Sequence, residues 1–377
     1  MIYLDNAATT FPKPDEVYAA MDRTNRTIAV NAGRGAYKAA QEASAIIDDT
    51  KCILKKLFHA ENTAEVVFTP SVTHAMNQVL RGLSLRQSSI VYITPYEHNA
   101  VARTLRMLQK EYGFNIELLP LQDDLRIDLS KTAYLFKEKS PTVVIATSIS
   151  NVTGYALPTR EIFALAKDNG AITVMDAAQA AGLLEIDMDN SNADIICFAG
   201  HKTLYGPFGI GGFLIRKETE LDTVFAGGTG SNSLDLEMPS TLPGRYEAAS
   251  PNIVAIAGLK AALETIDQKN HYEHIREKTH YLIDRLRELD NVEILGFFEN
   301  DESLGIVSII VDGYTSDEVG TILDDEFDIA VRTGYHCAPY IHDYLNDKQS
   351  NGTIRIGIGA FNTDRDIDIF IEALSTL

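Results

Sequence analysis

The sequence is poor in cysteine, in positive charge and in long apolar runs, and each shortage excludes a class of protein. It has only three cysteines, Cys52, Cys197 and Cys337. This number is small and odd, which does not suit a disulfide framework, so we expect a reducing, cytoplasmic setting. With 33 basic against 53 acidic residues the net charge is −20, which argues against nucleic acid and against an anionic membrane as partners. No apolar run approaches the span of a bilayer, and the first residues lack the pattern of a signal peptide.

The chain does contain the alternating pattern of an α/β protein. Hydrophobic residues make up 45% of 377 positions, and this length exceeds the usual size of one core, so two domains are expected. From residue 65, helical segments separate β-rich runs, which predicts a largely parallel sheet of seven strands: EVVF, SIVYIT, NIELL, TVVIATS, AITVM, DIICF and IGGFLI. The last strand follows a short turn and is expected to be antiparallel. A loop-rich stretch over 217–257 precedes a smaller α+β domain.

Two of the predicted strands, AITVM and DIICF, end in polar residues that can carry chemistry. Asp176 and Gln179 follow the first strand, and His201 and Lys202 follow the second. Because the carboxyl ends of parallel strands open onto a ligand crevice, an acid and a lysine meet there. This pair suits pyridoxal phosphate, whose aldehyde bonds to a lysine amine and whose pyridine nitrogen a carboxylate keeps protonated. The plainer alternative is a capping aspartate and a surface lysine, but Lys202 lies between an apolar strand and a tight turn, which favours the cofactor.

Two further segments have features of a phosphate site. In FTPSVTHAMN, Thr69, Ser71 and Thr73 lie where a strand turns into a helix, whose first N–H groups and hydroxyls can hold a phosphate. Simple N-capping explains the same residues equally well. Arg34, in the glycine-rich turn NAGRGAY, is either solvated or able to reach a phosphate.

Three other polar residues are further candidates for the site, and the first two are predicted to face the crevice. His98 follows SIVYIT, where an imidazole can stack on a flat cofactor or act as an acid or base, although a lone histidine is more often structural. Asn151 follows TVVIATS in a similar position. Arg355 is isolated in the apolar strand TIRIGI, which favours a bidentate grip on a carboxylate over a solvated charge.

The three cysteines have different surroundings. Cys337, in RTGYHCAPYIH, lies in a turn outside any apolar periodicity, and basic neighbours favour a nucleophilic thiolate in such a loop. A metal site with His336 and His342 lacks a clear fourth ligand, and a plain buried cysteine is a further alternative. Cys197, in the middle of an apolar strand, is predicted to be inert. Cys52 shares a helical stripe with Ala45 and Asp49, which indicates core packing.

Taken together, LDNAATT, DAAQ, GHKTLYGPFGIGG, RTGYHCAP and RIGIGAFNT resemble the class V aminotransferases, and more closely the cysteine desulfurases of the SufS/Csd type. The resemblance runs from Tyr3 to the final helix. It implies the fold of type I pyridoxal phosphate enzymes, with a large α/β domain over 15–257 and a small domain formed by 1–14 and 258–377. It also implies a homodimer that converts L-cysteine to L-alanine and passes sulfur, held as a persulfide on Cys337, to an acceptor protein for iron–sulfur clusters or thiolated cofactors. Selenocysteine lyase, another lyase or aminotransferase of this group, and a non-catalytic scaffold are the alternatives.

The resemblance implies roles for individual residues. The catalytic residues are Lys202, Cys337 and His98. The cofactor-binding residues are Lys202 for the aldehyde, Asp176 for the pyridine nitrogen, Gln179 for the ring hydroxyl, His98 for the ring face, Thr73 and His201 for the phosphate and Ser250 for the neighbouring subunit's phosphate. The residues implied to bind the substrate carboxylate are Arg355 and Asn151. Two departures from the family pattern are Ala199, where a serine is usual, and EAAS in place of EAGT around Ser250.

Overall fold

The computed structural model describes residues 1–32, 35–230, 234–296 and 303–377, so Arg34 lies outside the described residues. The helices within these ranges are α1 (Asp15–Thr27), α2 (Lys38–Leu57), α3 (Val72–Gly82), α4 (Asn99–Tyr112), α5 (Leu129–Glu138), α6 (Thr159–Asp168), α7 (Ile253–Thr265), α8 (Gln268–Leu286), α9 (Ser316–Phe327) and α10 (Asp364–Leu374). The strands are β1 (Ile2–Tyr3), β2 (Ala64–Thr69), β3 (Ile90–Ile93), β4 (Asn115–Leu118), β5 (Val143–Thr147), β6 (Ile172–Asp176), β7 (Ile195–Ala199), β8 (Gly211–Arg216), β9 (Val292–Leu295), β10 (Ile306–Val311), β11 (Ile329–Ala330), β12 (Arg332–Gly334) and β13 (Thr353–Gly357).

The large sheet has seven strands in the order β2-β8-β7-β6-β5-β3-β4. All neighbouring pairs are parallel except those of β8, which runs antiparallel to both β2 and β7. The central strands β5 and β7 are buried along their whole length, because helices cover both faces of such a sheet. The predicted seven strands and the antiparallel last strand are confirmed.

A second, antiparallel sheet lies in the C-terminal part, with the order β12-β13-β10-β9. The N-terminal arm joins this part, since β1 pairs with β11 and Asp5 forms a bridge with Gly357. Helix α9 begins with a capping box between Thr315 and Glu318. The predicted domain boundary after residue 257 falls inside α7, which packs on α1 and α2, and it stays a prediction.

Helix α2 corrects one prediction. Cys52 is exposed, and so are Ala45 and Asp49, whereas the buried face consists of Ala40, Ala43, Thr50 and Leu54. The reason is that small and weakly polar residues occur on several sides of this helix, and its packing against α7 and β2 selects the buried side. Among the described residues, no helix has both the length and the apolar character needed to cross a membrane.

Candidate active site

Asp176 and Lys202 lie at the carboxyl ends of two neighbouring parallel strands. Asp176 is the last residue of β6, and Lys202 follows β7 after Gly200 and His201. The Asp176 carboxylate is 4% exposed and accepts a hydrogen bond of 2.9 Å from the N–H of Ala178, so it also stabilises the turn that follows the strand. Lys202 is half-buried. The strand ends therefore hold the acid and the amine at one edge of the sheet, as expected.

The environment of Lys202 makes its amine easier to deprotonate than that of an ordinary lysine. Burial lowers the pKa of Lys202 to about 8, against the attraction of Asp176 and with help from the positive charges of Arg355 and Arg332. Burial also raises the pKa of Asp176, which the N–H of Ala178 and the charge of Lys202 counteract. An amine with a pKa near 8 is about one tenth neutral at pH 7, far more than an ordinary lysine, and the neutral form is the nucleophile.

His98 is a neutral ring beside these charges. It is the N-cap residue of α4, and its Nδ1 accepts a hydrogen bond of 3.0 Å from the N–H of Ala100. Burial, together with the positive charges of Lys202, Arg332 and Arg355, lowers the pKa of His98 to about 4. The ring is therefore uncharged at neutral pH, with its proton on Nε2, which suits stacking on a flat heteroaromatic ring.

Glu97 is a site residue that the sequence reasoning missed. Its side chain is fully buried, and Oε1 accepts hydrogen bonds from Thr94 Oγ1 at 2.6 Å and from the N–H of Thr147 at 2.8 Å. Burial, with a smaller contribution from the charge of Asp176, raises the pKa of Glu97 to about 8 although its hydrogen bonds to Thr94 and Thr147 oppose the shift. Glu97 thus joins the ends of β3 and β5 beneath His98. Its position directly before His98, at a strand end, was the available signal.

The N-terminal arm supports the lysine loop, which was also not predicted. The carbonyl of His201 accepts hydrogen bonds from Thr9 Oγ1 at 3.0 Å and from Lys13 Nζ at 2.7 Å. Thr10 Oγ1 donates to the carbonyl of Lys202 at 3.1 Å. Residues far apart in the sequence therefore fix the backbone on which the reactive amine is mounted.

Cys337 lies in a strained but firmly held loop. His336 and Cys337 have φ angles of 45° and 58°, a left-handed conformation that costs a non-glycine residue about 1–2 kcal/mol. The carbonyls of the loop are each bound by a different partner: Tyr335 by His342 Nε2 at 2.9 Å, His336 by Asn151 Nδ2 at 2.6 Å and Cys337 by the N–H of Asn99 at 2.7 Å. The last two bonds fasten the thiol loop to Asn151 and to the start of α4, directly beside His98.

The surroundings of the loop histidines do not suit a metal. His342 Nδ1 bonds to the buried Asp347, and its Nε2 bonds to the carbonyl of Tyr335. His336 is buried, and its Nε2 lies 2.7 Å from Thr353 Oγ1. No group of three potential metal ligands occurs within the described ranges. Arg332 Nη2 lies 3.5 Å from the half-buried Sγ of Cys337 and places a positive charge beside it.

Arg355 is almost completely buried, at 1% exposure, on the central strand β13. Its Nη2 donates to Asp5 Oδ1 at 2.7 Å, and its Nη1 donates to the carbonyl of Asn151 at 3.0 Å. Its Nε is buried and has no partner in the described part of the chain. The structure therefore brings Arg355 and Asn151 together, and it adds Asp5, which the sequence reasoning missed although it belongs to the LDNAATT segment.

The other predicted cofactor residues occupy different environments. Thr73 is exposed in the first turn of α3, and Ser250 is exposed in the loop before α7. Gln179 is buried, and its Nε2 donates to the carbonyl of Ala7 at 2.9 Å. The His201 ring stacks on Phe208 at 4.7 Å between centroids. His201 Nδ1 and Thr203 Oγ1 are buried without partners among the described residues, so this edge has polar atoms left for a ligand.

Comparisons with known proteins agree with this arrangement. The family model of the class-V aminotransferases matches residues 2–370. The chain is 31% identical to a probable cysteine desulfurase of Pyrococcus abyssi, over 100% of this chain and 94% of the relative. It is 32% identical to a probable cysteine desulfurase of Halalkalibacterium halodurans, over 99% of this chain and 92% of the relative.

Solved structures show the same fold. The apo structure of a cysteine desulfurase from Thermococcus onnurineus has a TM-score of 0.90 at 29% identity and covers 99% of this chain and 94% of its own. The cysteine desulfurase CsdA of Escherichia coli, solved with an S-sulfonic acid, has a TM-score of 0.83 at 25% identity and covers 100% and 94%. The predicted type I α/β fold is thereby confirmed. The chain belongs to the class-V aminotransferase family, in its cysteine desulfurase branch.

Proposed function

We propose that the protein is a pyridoxal phosphate-dependent cysteine desulfurase that converts L-cysteine to L-alanine and retains the sulfur on Cys337. The observation that carries this proposal is the hydrogen bond of 2.7 Å from the N–H of Asn99 to the carbonyl of Cys337. It connects the thiol loop of the C-terminal part to the residue that follows His98. A nucleophilic thiol thus shares one edge of the sheet with a lysine whose amine is largely desolvated.

The residues at this edge suit the cofactor. Bound pyridoxal phosphate supplies an aldehyde for covalent attachment and a protonated ring that withdraws electrons from the substrate Cα. Lys202 provides the amine, Asp176 holds the proton on the pyridine nitrogen, and His98 covers the ring as a neutral imidazole. Gln179 bonds the ring hydroxyl. The start of α3, with Thr73, and the unpartnered Nδ1 of His201 bind the phosphate.

Exposed residues and a homodimer complete the proposed site. Ser250 is exposed and follows Ala249, which is also exposed and has a left-handed φ of 76°. In the proposed dimer, Ser250 bonds the phosphate held by the partner subunit. In the same proposed dimer, the second copy would also cover the exposed Thr73.

The substrate carboxylate lies against Arg355 and Asn151. Arg355 is oriented by Asp5, and its unpartnered Nε offers a donor in a buried position. Asn151 Nδ2 carries two hydrogens, of which one bonds the carbonyl of His336 and the other is available to the substrate. The neutral amine of Lys202 then accepts the proton of the substrate Cα.

Sulfur transfer is the task of Cys337. Its thiolate attacks the substrate sulfur, a Cys337 Sγ–S bond forms, and the Cβ–S bond of the substrate breaks. Protonation of the remaining carbon skeleton yields alanine. The persulfide then passes to an acceptor protein, as input for iron–sulfur clusters or thiolated cofactors in the cytoplasm.

The test is a single-turnover assay on the purified protein. We expect visible absorption from the covalently bound cofactor, one equivalent of alanine after L-cysteine is added without a thiol acceptor, and one extra sulfur atom on the Cys337 peptide by mass spectrometry. Cys337→Ser should abolish the extra sulfur, and Cys52→Ser, at an exposed cysteine on α2, is the matched control that should retain it. Alanine at the parent rate from Cys337→Ser, or a requirement for a keto acid, would instead indicate a lyase or an aminotransferase. Measuring the rate with L-selenocysteine beside the rate with L-cysteine separates a desulfurase from a selenocysteine lyase.

A further inference from the structure

The sign of the charge reverses around Cys337. The whole chain has 33 basic and 53 acidic residues, yet the thiol opens into a pocket of about 700 Å³ lined by Arg103, Arg106 and Arg332. The acidic lining residue in the described part of the chain is Asp343, whose Oδ1 accepts from Lys348 at 2.6 Å, so these two charges cancel. The arginines leave a net positive pocket in a strongly negative protein.

The three arginines that line the pocket are available to bind an acidic partner. Arg103 and Arg106 are exposed one turn apart on α4, the helix that begins after His98. Arg106 Nη1 bonds to the neutral Gln109, and Arg332 Nη2 lies near the Cys337 sulfur. Within the described ranges, none of these arginines forms an ion pair with an acidic side chain. Positive charge therefore approaches the thiol from α4 and from the strand that precedes the loop.

From this pocket we infer that the sulfur acceptor is a protein whose receiving cysteine lies in an acidic segment. The inference rests on the proposed function, because it concerns the step that empties Cys337. The thiolate of the acceptor attacks the outer sulfur of the persulfide, a new S–S bond forms on the acceptor, the Cys337 Sγ–S bond breaks, and Cys337 leaves as a thiolate. Acidic residues beside the receiving cysteine would pair with the arginines during this attack.

A polypeptide fits this pocket better than a small thiol. Arginine and tyrosine are the residues enriched in protein–protein interfaces, and Tyr335, which is 42% exposed, and Tyr340 line the pocket together with the arginines. The net charge of −20 means that the protein as a whole repels an acidic partner. The pocket would therefore orient such a partner with its cysteine toward Cys337.

The preference can be measured without turnover by thiol–disulfide exchange. Cysteine peptides of equal length, with flanking aspartates, serines or lysines, are prepared as mixed disulfides with thionitrobenzoate. Their reaction with Cys337 is followed by release of the coloured thiol, in protein carrying Cys52→Ser so that the exposed Cys52 does not contribute. We expect the acidic peptide to react at least about tenfold faster than the lysine peptide at low salt, and the ratio to shrink as salt is added.

Charge reversal on α4 provides the decisive comparison. Arg103→Glu combined with Arg106→Glu should invert the ranking of the peptides. Lys110→Glu, an exposed site on the same helix outside the pocket, is the matched control and should preserve it. Equal rates for the acidic and lysine peptides in the parent protein would overturn the inference. So would a mixed disulfide of glutathione that reacts with Cys337 as fast as the acidic peptide does. Absence of alanine formation with dithiothreitol as acceptor would refute the proposed function and leave the exchange ranking as a separate result.

Discussion

The two sides of the proposed site are built in opposite ways. On one side, Lys202 and Asp176 lie at the ends of adjacent buried strands, and burial sets the pKa values of both. On the other side, Cys337 lies in a left-handed turn held by hydrogen bonds to its carbonyls, and it opens into a pocket of about 700 Å³. The lysine side is thus built from buried strands, whereas the cysteine side is a strained loop that is open to a pocket.

This difference follows from what each side must do. A lysine that bonds to an aldehyde needs a neutral amine, and desolvation provides one without mobile parts. A thiol that receives sulfur from a buried substrate and gives it to an external acceptor has to face both, so it cannot be sealed in a core. Hydrogen bonds to the carbonyls of the loop, from the side chain of Asn151 and from the N–H of Asn99, hold the half-buried thiol in position.

The largest expected effect comes from a substitution on the lysine side of the site. Lys202→Ala removes the desolvated amine that interacts with the charges of Asp176 and Arg355, so we expect loss of the covalent cofactor and a fall in alanine formation of about 10²–10⁴-fold. Absorbance and mass spectrometry measure the first effect, and alanine detection the second. Lys137→Ala, at an exposed position on α5, is the control. A Lys202→Ala protein that still bonds the cofactor would refute the assignment.

A substitution on the cysteine side of the site should give a smaller effect. Asn151→Ala leaves the buried carbonyl of His336 without its partner, which costs about 1–3 kcal/mol and loosens the loop. We therefore expect Cys337 to react with iodoacetamide about tenfold faster than in the parent protein. Cys52 in the same molecule is the internal control, because it lies on α2 and should react at an unchanged rate. An unchanged ratio of the two rates would show that this bond does not hold the loop.

The pKa of Lys202 predicts a pH profile for cofactor attachment. Only the neutral amine attacks the aldehyde, so attachment to the cofactor-free protein should rise with pH, level off above about 8, and not continue toward the ordinary lysine range near 10.5. Asp176→Asn removes a charge that raises this pKa, so the plateau should begin at lower pH. Borohydride trapping at a series of pH values measures both profiles. A plateau near 10 in the parent protein would contradict the desolvated amine.

The third thiol should show no effect at all. Cys197 is fully buried in β7, and burial raises the pKa of its thiol well above the ordinary value. We expect no alkylation of Cys197 in the folded protein under conditions that modify Cys337 within minutes. Alkylation should appear only after denaturant unfolds the chain. Reaction of Cys197 at the rate of Cys337 would mean that β7 opens readily.

Regular elements were predictable from the sequence, and contacts between distant segments were not. The seven strands and their order of appearance follow from short apolar runs separated by helical periodicity, and the prediction that β8 is antiparallel followed from its short connection. The helix stripe through Cys52 failed, because α2 has several faces of small residues and only its neighbours choose among them. Glu97 and Asp5 were missed because each gains its meaning from a partner far along the chain: Thr147 for Glu97, and Arg355 for Asp5.

By itself the sequence determined the order of the elements and the residue types at each strand end, since periodicity and turn chemistry are local properties. It also led to the prediction, still to be tested, that Lys202, Asp176 and Cys337 carry the chemistry. The tertiary structure decided that the carbonyl of Cys337 binds the start of α4, that Arg355 is aligned by Asp5, and that arginines from α4 and β12 converge around one thiol in an acidic chain. These contacts join residues tens to hundreds of positions apart, so they exist only once the sheet and the C-terminal part have packed together.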